Sequence, residues 1–272
     1  MPLGTGRNRG YASEVNEKDV EYVGLMAEAW DALRGDTSTW EDRQFYLDLI
    51  RERGEPVLDV GCGTGRLLLD FLGQGIDVDG IDNSAEMLAL CRRKAERLGL
   101  APNIHLQSMS ALGLSRRYRT IIVPSSSFQL LLDRDEAGRA LDAFHRHLEP
   151  GGTLAMPIIV LDKAYDRAWT AEAPLEDGST VRRTAREAFD PASRVESTDD
   201  LYEVFRDGEL IRSERHVRDQ ATLAWSRNEL AEALEAHGFA DLEFLSGFTR
   251  TPHKPADEIF TVLARAAPAR VG

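Results

Sequence analysis

The stretch Pro56-Val57-Leu58-Asp59-Val60-Gly61-Cys62-Gly63-Thr64-Gly65-Arg66 constrains the fold more than any other part of the chain. Its apolar run, 57–60, predicts a short buried strand. Three glycines on alternate positions follow it, and then Leu67, Leu68, Phe71 and Leu72 recur at helical spacing. A strand, a glycine turn and a helix in that order bring backbone N–H groups and a helix N-terminus up to a bound ligand. Asp59 stands at the strand's end, two residues before the first glycine.

The glycine spacing discriminates between ligands. A dinucleotide places its pyrophosphate at the helix N-terminus and uses G-x-G-x-x-G. Here the third glycine is Gly65, and residue 66 is an arginine, which cannot give the close helix–strand packing of that fingerprint. S-adenosylmethionine has no pyrophosphate. It needs close backbone approach to its amino-acid moiety and an acidic group near its ammonium and sulfonium charges. Gly61, Gly63 and Gly65 supply the approach, and Asp59 the acid. Asp82 ends the next predicted strand, 76–82, and can accept both ribose hydroxyls, a geometry that the two cofactor classes share. A tight turn without a ligand is the competing reading. The full set of strand, glycines, helix, strand and Asp argues against it.

Around this unit the pattern alternates. Helical stripes cover 15–33 and 39–53 ahead of it. Asn83, with Glu86 reaching back, is the expected cap of a helix carrying Met87, Leu88, Cys91, Ala95 and Leu98. Strands are expected at 103–107, 120–124 and 153–160, with a helix over 135–148. A strand-helix-strand unit of this length implies parallel pairing. The alternation then stops. Segments 181–189, 195–206 and 210–223 are β-prone, and Asp207-Gly208 is a hairpin signal, so an antiparallel meander is expected there. Ser226-Arg227-Asn228-Glu229 is a capping box before a helix, and strands at 242–248 and 258–265 close the chain. The organisation read from this has three parts. Residues 1–55 form an N-terminal helical lid, 56–161 with 225–266 an α/β core, and 162–224 a β-rich insertion that caps the substrate.

Composition removes several function classes. The net charge of −13 repels phosphate backbones and argues against a nucleic-acid partner. Cys62 and Cys91 form neither a disulfide framework nor a zinc spacing, so no metal is expected and a reducing cytoplasm suits both. No run approaches the roughly 18 apolar residues of a membrane helix, and the first residues lack the apolar core of a signal peptide.

Residues 57–65 resemble motif I of the class I S-adenosylmethionine-dependent methyltransferases. Residues 80–88 resemble the second motif, and 148–154 the segment leading into strand five. The likeness is to bacterial small-molecule types with a β-rich insertion after strand five, and extends to residues 30–33, 124–130 and 228–238. It implies a Rossmann-like seven-stranded sheet with helices on both faces and the last strand antiparallel. It also implies methyl transfer from S-adenosylmethionine to an N or O nucleophile of a small molecule, leaving S-adenosylhomocysteine. The cofactor contacts it implies are Trp30, Asp59, Gly61, Cys62, Gly63, Gly65, Asp82, Asn83, Met87, Ser108, Met109, Pro124 and Ser125. At Ser108 the family commonly has Asp, so adenine contacts here fall to Met109 and backbone groups. An alternative stays open: a protein of this fold that binds the cofactor and catalyses another reaction, or serves as a binding module.

Candidates for the acceptor side follow from position. Ligands sit beyond the C-terminal ends of parallel strands, which nominates Ser125, Ser126, Ser127 and Phe128 after the fourth strand, with a polar turn capping the next helix as the competing reading. Ser125 and His216 are the candidate catalytic residues, His216 lying in the meander among Arg212, Glu214, Arg215 and Arg218. A solvated strand position is the competing reading for His216. Arg182 and Arg186 are candidates for an anionic acceptor, with a solvated edge as the favoured competing reading, and Tyr11, Tyr22 and Trp30 for a lid over the site, against core packing for Tyr22 and Trp30 and disorder for Tyr11. The expected state is a monomer or homodimer.

Overall fold

The computed structural model describes residues 13–14 and 22–267. In chain order the elements begin with β1 (Ser13–Glu14), α1 (Gly24–Glu28), α2 (Trp30–Arg34), α3 (Glu41–Arg53), β2 (Val57–Val60), α4 (Leu68–Gly73), β3 (Val78–Asp82) and α5 (Ala85–Leu98). β4 (Asn103–Leu106), β5 (Tyr118–Ile122), α6 (Arg134–His147) and β6 (Leu148–Ile159) follow. The last part holds β7 (Tyr165–Pro174), β8 (Thr180–Asp190), β9 (Val195–Arg206), β10 (Glu209–Leu223), α7 (Arg227–Ala236), β11 (Phe239–Ser246) and β12 (Ile259–Ala266).

Seven strands form one sheet in the order β11-β12-β6-β5-β2-β3-β4. β6, β5, β2, β3 and β4 run parallel, and β12 is inserted antiparallel between β6 and β11. β2 is central, so all four of its residues are buried and its C-terminal end opens between β3 and β5. One face of the sheet packs on α6 and α7 through Leu141, Phe144, Leu230 and Leu234. The other packs on α3, α4 and α5 through Tyr46, Leu49, Phe71 and Cys91. This is the Rossmann-like arrangement expected for the core.

The inserted region forms a second sheet, ordered β1-β10-β9-β8-β7, whose four long strands pair antiparallel. The sequence pattern misses β7, because it is an edge strand on which Ala173 alone is buried. The inner face of this sheet packs Val181, Tyr202 and Val204 on Leu25 and Met26 of α1.

Two local expectations are corrected. The helix expected over 15–33 is two short helices in its described part, from residue 22 on, and 15–21 lie outside the described residues. Gly24 has φ +56, outside the right-handed helical range, so one helix cannot run through it. The cap of α5 is Ser84, not Asn83: its Oγ accepts the Met87 N–H at 3.1 Å. Glu86 instead accepts the Gly24 N–H at 2.7 Å and so ties α1 to α5. The capping box of α7 is formed as expected by Ser226 and Glu229.

Candidate active site

A cavity of about 990 Å³ opens above the C-terminal ends of β2, β3 and β5. Its volume lies at the upper end of the range for small-molecule sites, room for a nucleoside-sized ligand and a second molecule. The glycine loop forms its floor with Asp59, Gly61, Cys62, Gly63 and Thr64.

Asp59 is 2% exposed, and its Oδ1 has no hydrogen-bond partner among the described residues. Burial pushes this carboxyl up to about 7, against the pull of the Arg66 guanidinium. An orphaned buried acceptor is costly unless something fills it. Asp82 is oriented by backbone: Oδ2 accepts the Gly63 N–H at 2.8 Å and Oδ1 the Ser84 N–H at 2.8 Å. Each oxygen keeps a lone pair for a further donor. Burial raises this carboxyl too, and the N–H bonds of Ser84 and Gly63 oppose the rise.

Gly65 serves differently from the expectation and is absent from the cavity lining. A Cβ there would lie 2.6 Å from Cys91 Sγ and 2.8 Å from Leu69 Cγ. The close packing that the dinucleotide fingerprint assigns to a glycine one residue later is therefore done by Gly65. Arg66 lines the cavity and clasps Asp42 through both guanidinium nitrogens, with the Trp40 ring 5.0 Å from its guanidinium carbon.

The short helices α1 and α2 wall the cavity. Tyr22 and Trp30 line it and meet edge to face at 4.6 Å. Arg34, one turn after Trp30, stacks on that ring at 3.7 Å. It has no hydrogen bond or ion pair among the described residues, and burial lowers its pKa to about 10. Thr64 Oγ1 donates to Asp31 at 2.6 Å, which Lys94 also reaches at 2.9 Å, so α2 is tied to the glycine loop and to α5.

The other predicted contacts divide by position. Asn83, Met87, Ser108, Met109, Pro124, Ser125 and Ser127 line the cavity. Ser125 and Ser126 have φ +56 and +58, strained for non-glycine residues and located where β5 ends. Ser127 Oγ donates to the Pro124 carbonyl at 2.7 Å. Phe128 is buried in the core against Trp225, ring centroids 5.4 Å apart, and does not reach the cavity.

His216 does not line the cavity either. It is 1% exposed, facing Tyr202 edge-on at 5.5 Å and Glu214 at 3.6 Å. Strand alternation puts it on the inner face under α1, so neither the solvated position nor a place beside the acceptor holds. Arg182 and Arg186 lie on exposed strand surface, paired with Glu172 at 2.6 Å and Asp166 at 2.6 Å. Cross-strand carboxylates occupy them, away from the cavity. Tyr11 lies outside the described residues.

Several lining residues escape the sequence reading: Arg34, Gln107, Ser110, Glu136 and residues 217–220. Arg34 had a signal, its i+4 spacing from Trp30. Glu136 and 217–220 reach the cavity through tertiary placement alone.

Residues 57–152 match the family described as methyltransferase domain. The chain is 31% identical over 142 residues to the dTDP-3-amino-3,4,6-trideoxy-alpha-D-glucopyranose N,N-dimethyltransferase of Streptomyces venezuelae, covering 51% of this chain and 58% of that one. It is 27% identical over 195 residues to the dTDP-3-amino-3,6-dideoxy-alpha-D-glucopyranose N,N-dimethyltransferase of Streptomyces fradiae, covering 68% and 74%. The solved structure of Streptomyces venezuelae DesVI superposes with a TM-score of 0.65 at 25% identity, covering 84% and 91%. Residues 57–152 carry a methyltransferase domain, and the chain is similar to S-adenosylmethionine-dependent methyltransferases of the bacterial small-molecule type. The cavity fits that cofactor, with an orphaned buried carboxylate for its cationic part, a backbone-oriented carboxylate for its ribose, and side-chain-free loop backbone between them.

Proposed function

We propose that this protein transfers a methyl group from S-adenosylmethionine to an amine nitrogen of a small molecule. The observation that carries the reading is the orphaned Asp59 Oδ1 at the floor of the glycine-loop cavity, a buried acceptor in need of a cationic donor. The cofactor, when bound, supplies an electrophilic methyl on a sulfonium. Asp59 receives its ammonium, Asp82 its ribose hydroxyls, and Arg34 is placed to meet its carboxylate. Ser108 and Met109 border the adenine, and the Tyr22–Trp30 pair excludes water from above. Much of the rate of such a displacement comes from alignment in a dry site. Ser125 lies at the end of β5, where acceptor and methyl would meet, and Ser127 beside it. Neither His216, Arg182, Arg186 nor Phe128 is assigned a part in it.

The acceptor nitrogen is supported by the two relatives named as N,N-dimethyltransferases of dTDP-linked amino sugars. An amino sugar is the first acceptor class to try. The 162–224 insertion acts as the cap on the acceptor side, and 1–55 as the lid. Among the described residues no helix is long and apolar enough to cross a membrane. We place the protein in the cytoplasm as a monomer or homodimer, with no nucleic-acid partner in view of its charge of −13.

The test is methyl incorporation from labelled S-adenosylmethionine into dTDP-linked 3-amino sugars. Label in the sugar amine supports the reading. Cofactor affinity with no incorporation into amine or hydroxyl acceptors would turn it towards the alternative, a cofactor-binding protein with another role.

A further inference from the structure

Strand β10 leaves its ladder at one place. Arg218 pairs with Thr198 and Thr222 with Glu196, so residues 219–221 of β10 stand opposite the single residue Ser197 of β9. Bulges of this kind re-aim side chains and cluster beside active sites. Here Ala221 turns inward and is buried, while Asp219 and Gln220 are exposed and line the large cavity.

The charged groups around that cavity are accounted for one by one. Asp82 holds two backbone N–H groups, and Glu136 accepts the Ser110 hydroxyl at 2.9 Å. Asp59 belongs to the glycine loop. Of the cations, Arg66 is clasped by Asp42, Arg34 lies on Trp30, and Arg218 is directed at the lid, 3.7 Å from Met26 Sδ. The Asp219 carboxylate has no hydrogen bond or ion pair among the described residues. It comes from the second sheet, the part of the fold that contributes nothing to the glycine loop.

We infer that Asp219 is the residue that receives the acceptor's ammonium group and selects amines over hydroxyl compounds. The inference rests on the methyl-transfer reading of the cavity. An aliphatic amine arrives protonated at neutral pH, with a pKa of about 10 for a lysine-like group. A carboxylate at the cavity wall gives that cation charge-assisted hydrogen bonds that a hydroxyl cannot match. Asp219 stands in the bulge itself, three places after His216 and on the side of the exposed, cavity-lining Val217, free of the ladder between the Arg218–Thr198 and Thr222–Glu196 pairs. Asp219 acts as a binding and positioning residue and adds no covalent step: the bound ammonium releases one proton to solvent before its nitrogen attacks the methyl, and the carbon–sulfur bond breaks as the carbon–nitrogen bond forms.

The experiment uses two probes that differ at one position: dTDP-3-amino-3,6-dideoxy-α-D-glucopyranose and its 3-hydroxy counterpart. Each is titrated calorimetrically into the S-adenosylhomocysteine complex of the full chain, as wild type, Asp219→Asn and Asp219→Glu. The expected result is at least tenfold tighter binding of the amine by wild type. Asn should abolish that preference and Glu should keep most of it, with affinity for S-adenosylhomocysteine the same in all three. In turnover, Asn should raise KM for the amine more than it lowers kcat. Equal binding of both sugars by wild type, including binding of neither, overturns the inference, as does an Asn variant that keeps the preference. S-adenosylhomocysteine binding without amine preference defeats this inference alone. Absence of S-adenosylhomocysteine binding defeats the methyl-transfer reading with it.

Discussion

Asp59→Asn should make the ligand-free protein more stable and the cofactor complex weaker. The side chain is 2% exposed, and burial raises its pKa from 3.8 to about 7. That rise corresponds to about 4 kcal/mol held against the charged form, an upper figure for the effect on folding. The folded state keeps its proton more tightly than the unfolded chain does. Stability from this group is therefore intact below pH about 4, falls as pH rises, and is fully lost above about 7. Asn does not titrate and removes the slope. Melting curves without cofactor at pH 5 and pH 8 should show wild type losing several degrees relative to the variant between the two. Titration with S-adenosylhomocysteine at pH 8 should show the reverse order. Loss of a charge-assisted hydrogen bond of about 1.5–3 kcal/mol weakens binding roughly 10- to 100-fold. A variant that binds as tightly as wild type would refute the reasoning, and so would equal destabilisation at both pH values.

Gly65→Ala should cost about 2 kcal/mol or more, because the new Cβ meets Cys91 Sγ and Leu69 and φ is +84. A denaturant midpoint equal to wild type would contradict this. Ser226→Ala removes the α7 capping box and should lower stability by about 1 kcal/mol in the same assay, with S-adenosylhomocysteine affinity unchanged. Glu214→Ala takes away the acceptor of the Leu25 N–H, 2.7 Å distant, and the partner of Arg212, which also holds Glu28. Limited proteolysis should then cut faster near the start of α1, and protection unchanged from wild type would count against Glu214 as an anchor.

The core sheet was legible because its strands are short apolar runs bounded by glycine and caps, and Val57–Val60 and Val78–Asp82 fall where the pattern puts them. The floor of the cavity was legible for the same reason, since Asp59, Gly61 and Gly63 sit at a strand end whose direction is fixed by the parallel crossover. The short helices α1 and α2 and the second sheet were not. Alternating charge over 212–218 reads as solvated strand, yet α1 covers one face of it and buries His216 and Glu214. Arg182 and Arg186 read as anion-binding groups or a solvated edge, and pairing decides between them: register sets Glu172 opposite Arg182 and brings Asp166 diagonally within reach of Arg186. Register and bulges come from pairing between distant segments, so the sequence pattern of β10 could name neither the inward residues nor Asp219.

The central claim is that the glycine-loop cavity holds S-adenosylmethionine through Asp59 and Asp82. Calorimetric titration of S-adenosylmethionine into the purified chain tests it directly. The account predicts saturable one-to-one binding that S-adenosylhomocysteine displaces and that Asp59→Asn and Asp82→Asn each weaken at least tenfold. No heat of binding, or affinity untouched by both substitutions, would contradict it.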